Sequence, residues 1–540
     1  MAQAEAVQQA VAVQQALEQG VQEKFKKYLA NAGLDCKDYQ VKGVEWCVEH
    51  EVKGYKLNDY TIKNQDKTIA NISGQIIRGG IMADEMGLGK TIQMLGTIIT
   101  NVKRHTLIVL PKALLDQWKN AIIKTLGHKP LIYHHFTKKQ KLEMDEKLKF
   151  SPIVITTYGM VATKSPLHEM KWDRIIFDEA HHLRNNSTRE YAGALKLKSP
   201  IKWMVTGTPI QNKISDLYSL LDILGVPKSY YKKKEHKAQA QEEHIEQAEA
   251  EHIAQAVEEA LEEELKNLRT LTNEIILHRT KASVGLILPA LSSASANIKW
   301  QTNEEKKIAE HIHEFINGSK DDDDDDDDDN EPDDESFVLL KFLRARQVCI
   351  LAALNKKKKS IGGTSSKTDA VVAKIAERKE NGKHKIVFCH FRGEIDFIKK
   401  MLTEKHKMEV KVIDGRTPDK ERKEILKAQT GAHAKQQAHA KQQEQAKSGA
   451  AKVLILQIQT GCEGLNLQEY SEVYFVSPHW NPAVEDQAVA RCYRIGQKEE
   501  TQVFRFYMNG FDEEDKTKSL DQYVTKKQIG KKALVSKLLW

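Results

Sequence analysis

From Tyr39 to about Val226 the chain alternates short, β-rich apolar runs with stretches of helical periodicity. The runs are Ile81–Ala83, Thr106–Leu110, Ile153–Thr157, Arg174–Asp178 and Trp203–Thr206. Strands that are apolar throughout have no solvated face, so this alternation predicts a parallel sheet covered by helices on both sides. The pattern then stops. Residues 235–268 place Ile253, Val257, Leu261, Leu265 and Leu268 on one helical face amid Glu, Gln and Lys, which predicts a long amphipathic helix, not another βα unit. A second set of runs follows at Ile386–His390, Val410–Asp414, Val453–Gln457, Val473–Ser477 and Val503–Tyr507. The expected fold is therefore α/β, with two parallel-sheet lobes and an insertion between them. The expected divisions are a low-complexity amphipathic helix (1–33), a first lobe (34–230), a helical insertion (231–362), a second lobe (363–510) and a basic tail (511–540).

Charge changes this picture in one place. Asp321–Asp329 with Glu331, Asp333, Asp334 and Glu335 put thirteen carboxylates into fifteen positions, a segment that cannot bury apolar surface and is expected to be disordered. The whole chain of 540 residues carries a formal +7; without those thirteen, 83 basic side chains face 63 acidic ones, a net of +20. Such an excess suits a polyanion bound through its phosphates. Two copies of AHAKQQ (432–437 and 438–443) read as a tandem duplication in an exposed helix or loop, since histidines six residues apart do not share a helical face. The six cysteines form no CxxC pair, which argues against a zinc ribbon and fits a reducing, intracellular compartment. No apolar run reaches the ~18–20 residues of a membrane span, and the N-terminus has no basic-then-apolar secretory pattern, so no membrane partner is expected.

The candidate chemistry begins after the first run. Asp84-Glu85-Met86-Gly87-Leu88-Gly89-Lys90-Thr91 is a Gly-rich turn between a strand and a helix, closing on Lys-Thr. Backbone N–H groups in such a turn cradle a polyphosphate, the lysine neutralises β/γ-phosphates and the threonine hydroxyl can ligate Mg²⁺. Asp84 stands where the strict pattern has its first glycine. Some ninety residues on, the run Arg174–Phe177 leads into Asp178-Glu179-Ala180-His181, an acidic pair at a strand's C-terminal end that can hold Mg²⁺ and polarise water. Together they imply hydrolysis of a nucleoside triphosphate. In the second lobe Gln487, Arg491 and Arg494 are spaced by four and three, the spacing of one helical face. A triphosphate site needs a cation for the charge of its transition state, and arginines donated from a second lobe would supply it.

These segments, in this order, resemble the Swi/Snf-type family of DNA-dependent ATPases, within the superfamily-two helicase-like proteins. The resemblance covers residues 36–282 and 366–507. Its motifs are Asp38-Tyr39-Gln40, DEMGLGKT, LIVLPKALLDQW (107–118), VITTYGMV (154–161), DEAHHLRN (178–185), VTGTPIQN (205–212), ILHRTK (276–281), IVFCHF (386–391), IQTGCEGLNLQEYSEV (458–473) and WNPAVEDQAVARCYRIGQ (480–497). It implies two RecA-like lobes, with ATP and Mg²⁺ as the nucleotide and metal. Gln40 would read the adenine edge; Thr91 and Asp178 would support the metal; Glu179 would handle the attacking water. Thr206, Gly207 and Thr208 would link hydrolysis to movement, and Gln487, Arg491 and Arg494 would meet the γ-phosphate. Lys112, Thr157, Tyr158, Gln459, Thr460, Trp480 and Asn481 fall in segments with which the family grips the DNA backbone. For Trp118 core packing is the expectation.

The activity this implies is an ATP-driven translocase on double-stranded DNA that remodels nucleosomes or displaces DNA-bound proteins. It would be a monomeric motor, nuclear in a eukaryotic cell, with targeting left to a partner protein, because no segment resembles a bromodomain, chromodomain or RING. A strand-separating helicase and a non-catalytic DNA-binding scaffold are the alternatives; intact Lys90, Asp178, Glu179, Arg491 and Arg494 speak against the scaffold.

Overall fold

The structure is a computed structural model that describes residues 18–57, 60–64, 67–72, 74–231, 268–318, 335–351, 365–429, 452–461, 465–512 and 517–539. The acidic run, the AHAKQQ repeat, the first seventeen residues and nearly all of the amphipathic segment 235–268 lie outside the described residues. The chain divides into two compact units, Met1–Ile287 with Ala533–Trp540, and Leu288–Lys532.

The first unit is built on an eight-stranded sheet. Its strands are β1 (Tyr55–Lys56), β2 (Ile76–Met82), β3 (Thr106–Leu110), β4 (Leu131–Tyr133), β5 (Ile153–Thr157), β6 (Arg174–Asp178), β7 (Ile201–Val205) and β8 (Ile276–Leu277). They lie in the order β1-β2-β7-β6-β3-β5-β4, with β8 beside β2. Only β1 runs antiparallel to its neighbour. All five residues of β3, β5 and β6 are buried, as uninterrupted apolar runs require. Alternate side chains feed two cores. Ile81, Leu107, Val109, Phe177 and Met204 enter one, while Met82, Ile108, Leu110, Ile176, Trp203 and Val205 enter the other. The helical residues 18–31 (α1) belong to the second core through Val21, Phe25, Tyr28 and Leu29, beside Val44 and Val48 of α2 (Asp38–Val52). The described part of the helix expected over 1–33 thus packs into this unit's core. α3 (Lys90–Thr100) follows the phosphate loop and packs against α2.

The second unit contains a six-stranded sheet that is parallel throughout. Its strands are β9 (Leu291–Ile298), β10 (His384–Cys389), β11 (Val410–Ile413), β12 (Val453–Gln457), β13 (Tyr470–Phe475) and β14 (Thr501–Met508), ordered β9-β14-β13-β10-β12-β11. Two findings revise the sequence expectation. β9 has the sequence LSSASANI, too small and polar to stand out as a strand, yet it pairs with β14 over eight residues. The unit therefore begins well before residue 363. Residues 511–540, expected as a tail, contain a helix, α4 (Leu520–Leu539), whose Leu520 and Val524 pack with Ala345, Cys349 and Met508. Asp521 of α4 also forms a buried ion pair with Lys367.

Candidate ATP site

β2, β6 and β7 are neighbours, so the segments leaving their C-terminal ends meet at one edge of the first sheet. These segments are the phosphate loop, the acidic pair and Thr206-Gly207-Thr208. The loop turns through Gly87 and Gly89, whose φ angles of 93° and 82° lie in the left-handed region. At Gly89 a side chain is doubly barred, since a Cβ there would lie 2.5 Å from the Gln40 amide nitrogen. Gln40 Nε2 donates to the Leu88 carbonyl at 3.1 Å, which sets the adenine-reading candidate against the loop. Lys90 Nζ donates to the Asp84 carbonyl at 2.7 Å, and Thr91 follows it in the first turn of α3. Met86 borders Gly207, where a Cβ would meet the Met86 side chain at 2.9 Å and Lys90 Nζ at 3.3 Å.

Asp178 is buried at the end of β6. Its Oδ2 accepts from the Trp118 indole N–H at 2.6 Å and its Oδ1 from the Glu179 N–H at 3.1 Å. Burial, then the neighbouring Glu179 carboxylate, pushes its pKa up to about 7, while the Trp118 bond and the Lys90 charge work against that rise. A buried carboxylate poised between charged and neutral fits a cation that would complete its charge. Asp178 and Thr91 would hold Mg²⁺ with phosphate oxygens as the remaining ligands, the usual arrangement for this ion. Among the described residues no group of three or more His, Cys, Asp or Glu side chains offers a cage of its own. Tyr158 braces the same strand end, donating from its hydroxyl to the Asp178 carbonyl at 2.7 Å and stacking on His182.

Glu179 has φ 52° and ψ 49°, a left-handed backbone that costs a non-glycine residue on the order of 1 kcal/mol. The kink turns the side chain off the sheet axis, where its Oε2 lies 3.4 Å from His181 Nδ1. The same nitrogen lies 3.5 Å from Thr206 Oγ1, which in turn accepts from the Thr208 N–H at 3.1 Å. A parallel route runs from Arg184 to Gln211, whose amide donates to Thr208 Oγ1 at 3.0 Å. The acidic segment and the Thr-Gly-Thr segment are thus joined by hydrogen bonds at two places.

Two carboxylates of the loop are engaged by other side chains. The Asp84 carboxylate is fully buried and takes its bonds from Arg279 and Gln93, because a charge at that depth requires a partner. The Glu85 carboxylate accepts from Lys281. Both pairings serve the loop's shape; ILHRTK is the segment that supplies them, and nothing local in the sequence connects it to the loop.

Among the expected DNA-gripping residues, Lys112 and Gln459 are exposed at the ends of β3 and β12. Thr157, Tyr158 and Asn481 have their side chains inward. Thr157 is bonded to His134, Tyr158 to the Asp178 carbonyl, and Asn481 caps the helix α5 (Pro482–Cys492) by accepting from Ala483. Thr460 lies within the short helix Ile458–Gly461 that follows β12. The Trp480 ring packs on Phe342 and Tyr523 with the Arg346 guanidinium over its face.

In the second unit Gln487 and Arg491 lie on α5, but Arg494 does not. The helix ends at Cys492 because the Arg491 carbonyl accepts from the Leu467 N–H at 3.1 Å, so the chain turns through Ile495-Gly496. The one-face reading is corrected to a helix end plus a turn. Arg494 is nevertheless close enough to Arg491 for that charge, after burial, to lower its pKa. Gln487 is buried, and its amide nitrogen has no hydrogen-bond partner among the described residues.

A glycine-rich loop, a lysine whose charge reaches a buried carboxylate, and a second acid on a kinked turn are the parts of a P-loop nucleoside-triphosphate site. The chain belongs to the SNF2-related family, a family of DNA-dependent ATPases: the SNF2-related domain matches residues 39–379 and the helicase conserved C-terminal domain matches 366–496. Over 511 residues it is 27% identical to an uncharacterized ATP-dependent helicase of Mycoplasma pneumoniae, covering 93% of this chain and 42% of that protein. It is 24% identical to a probable global transactivator of Orgyia pseudotsugata multicapsid polyhedrosis virus, covering 93% and 91%. It is 25% identical to the ISWI chromatin-remodeling complex ATPase ISW2 of Saccharomyces cerevisiae, covering 89% and 42%. The chain spans about two fifths of the length of the first curated relatives it matches. Among solved structures it is similar to the Sulfolobus solfataricus SWI2/SNF2 ATPase core in complex with dsDNA, with 22% identity, 94% and 97% coverage and a TM-score of 0.38.

Proposed function

We propose that the chain hydrolyses ATP to translocate on double-stranded DNA, moving nucleosomes or stripping other DNA-bound proteins. The observation that carries this reading is the chain of contacts from Glu179 through His181 to Thr206 and Thr208. A group that handles the attacking water is bonded to a separate strand end, so a change at the γ-phosphate has a path into the body of the lobe. When bound, Mg²⁺ would neutralise charge on the phosphates. Lys90 adds a second positive charge there, Asp178 orients the metal-binding oxygens, and Glu179 positions or deprotonates water. Gln487, Arg491 and Arg494 act on the γ-phosphate. The basic excess of the chain outside its acidic run supports a polyanionic track, and contacts to a phosphate backbone give motion independent of sequence.

ATPase rates measured in parallel with no nucleic acid, single-stranded DNA, duplex DNA, nucleosomes and RNA test this. Duplex DNA is expected to stimulate most, RNA least, and the stimulation should weaken as salt rises. Equal stimulation by RNA would replace the DNA assignment with an RNA-directed motor. Separation of an oligonucleotide duplex would favour the strand-separating helicase.

A further inference from the structure

The segment Ile276–Lys281 is fastened to the phosphate loop at every second residue. The Leu277 carbonyl accepts from Ala83 N–H and the Arg279 carbonyl from Glu85 N–H, each at 2.8 Å, and Lys281 N–H donates to Glu85 Oε2 at 2.7 Å. Arg279 is the centre of this strap. Its Nε donates to Asp84 Oδ1 at 2.9 Å and its Nη2 to Asp84 Oδ2 and, at 2.8 Å, to Gln93 Oε1. Its Nη1 donates to the main-chain carbonyl of Tyr39, and the guanidinium lies 5.7 Å from the centre of the Tyr39 ring. Gln93 closes the circuit by donating to Asp84 Oδ2 at 3.0 Å. There is no slack around it: a Cβ on Gly43 of α2 would lie 1.9 Å from Gln93 Oε1 and 2.7 Å from Arg279 Nη2.

One guanidinium thus holds the residue before Gln40, the first residue of the phosphate loop and the second turn of α3. We infer that Arg279 is a positioning residue for ATP. Through Asp84 it fixes the loop that receives the phosphates, and through the Tyr39 carbonyl it fixes Gln40 at the adenine end. It therefore governs both affinity for the triphosphate and the choice of adenine. Arginine suits this task because its planar fork serves several acceptors at fixed angles, which a lysine cannot do. The inference rests on the ATP-binding reading of this site and is independent of which nucleic acid stimulates turnover.

The test is equilibrium binding of fluorescent ATP and GTP analogues to the full chain without DNA, for wild type, Arg279→Lys, Arg279→Met and the double variant Asp84→Asn with Arg279→Met. The double variant leaves no unpaired buried carboxylate, so it reports on positioning even where Arg279→Met alone does not fold. Both Met variants are expected to weaken ATP binding by ~10-fold or more, since displacements of an ångström carry penalties of that order. GTP binding should fall less, so that the preference for ATP shrinks. Arg279→Lys should fall between them and wild type. ATP affinity and ATP-over-GTP preference both unchanged in the double variant, with only a lower melting temperature, would overturn the inference and leave Arg279 a packing residue. Failure of the wild-type chain to bind either nucleotide would instead overturn the ATP-binding reading of the site, and this inference with it.

Discussion

At the scale of the residue, Asp178 shows how burial sets chemistry. Its folded pKa of about 7 is above the ordinary carboxylate value. The folded chain therefore binds the proton more tightly than the unfolded one, and the associated stability is present at low pH and lost as pH rises from ~4 toward 7. Metal binding needs the ionised form, so activity has the opposite slope: kcat/KM for MgATP should fall as the pH drops through the neutral range. Trp118→Phe keeps the core filled and removes the indole N–H that favours the charged carboxylate. The acid limb of its pH–rate profile should move up by ~1 pH unit, the scale of a lost hydrogen bond to a charge. An unmoved limb would detach Trp118 from the metal site. Lys90, Asp178 and Glu179 were legible because phosphate chemistry demands those types at those strand ends. Trp118 was legible only as a core residue, since its partner is sixty positions away and nothing nearby marks the pairing.

Among the elements, the strands that could be read were those whose runs are apolar on both faces, such as TLIVL and IVITT. LSSASANI could not, because its side chains carry almost no hydrophobic signal and its place comes from the backbone pairing of β14. The end of α5 was misread for a related reason. Spacing suggests a continuous face, but a distant N–H from Leu467 captures the Arg491 carbonyl and stops the helix. The same non-local logic holds the first lobe together. Glu51 of α2 accepts from Arg174 Nε at the start of β6 at 2.5 Å, from the Trp203 indole on β7 at 2.8 Å and from the Asn101 amide after α3 at 2.6 Å. Arg174 is fully buried, so Glu51→Ala would leave its guanidinium unpaired. The expected cost is ~3–5 kcal/mol, read as an earlier urea midpoint for the first lobe. A midpoint shift equivalent to less than ~1 kcal/mol would mean that the Asn101 carbonyl and water satisfy Arg174 unaided.

For the whole molecule, two lobes were readable because the strand–helix alternation occurs twice, and the ordered motifs divide between them. The sharpest expectation that joins the halves concerns Arg494. If it acts on the γ-phosphate, Arg494→Ala should lower kcat by ~10³–10⁵, as for other arginine fingers, while DNA binding without nucleotide stays near wild type. Collapse of DNA affinity with kcat preserved at saturating DNA would instead assign Arg494 to a DNA-facing surface.

The pairing of Asp84 with Arg279 spans 195 residues, and this has a consequence during synthesis. A ribosome adding ~5–20 residues per second leaves the completed Gly-Leu-Gly-Lys-Thr sequence waiting ~10–40 s before Arg279 is made. Throughout that interval the nascent lobe has the phosphate loop but lacks the strap that shapes it. Cellular ATP is therefore expected to stabilise the first lobe less before Arg279 is made than after it. The length of the chain between β7 and β8 sets the delay, so a longer insertion postpones the moment at which nucleotide stabilises the newborn chain more strongly.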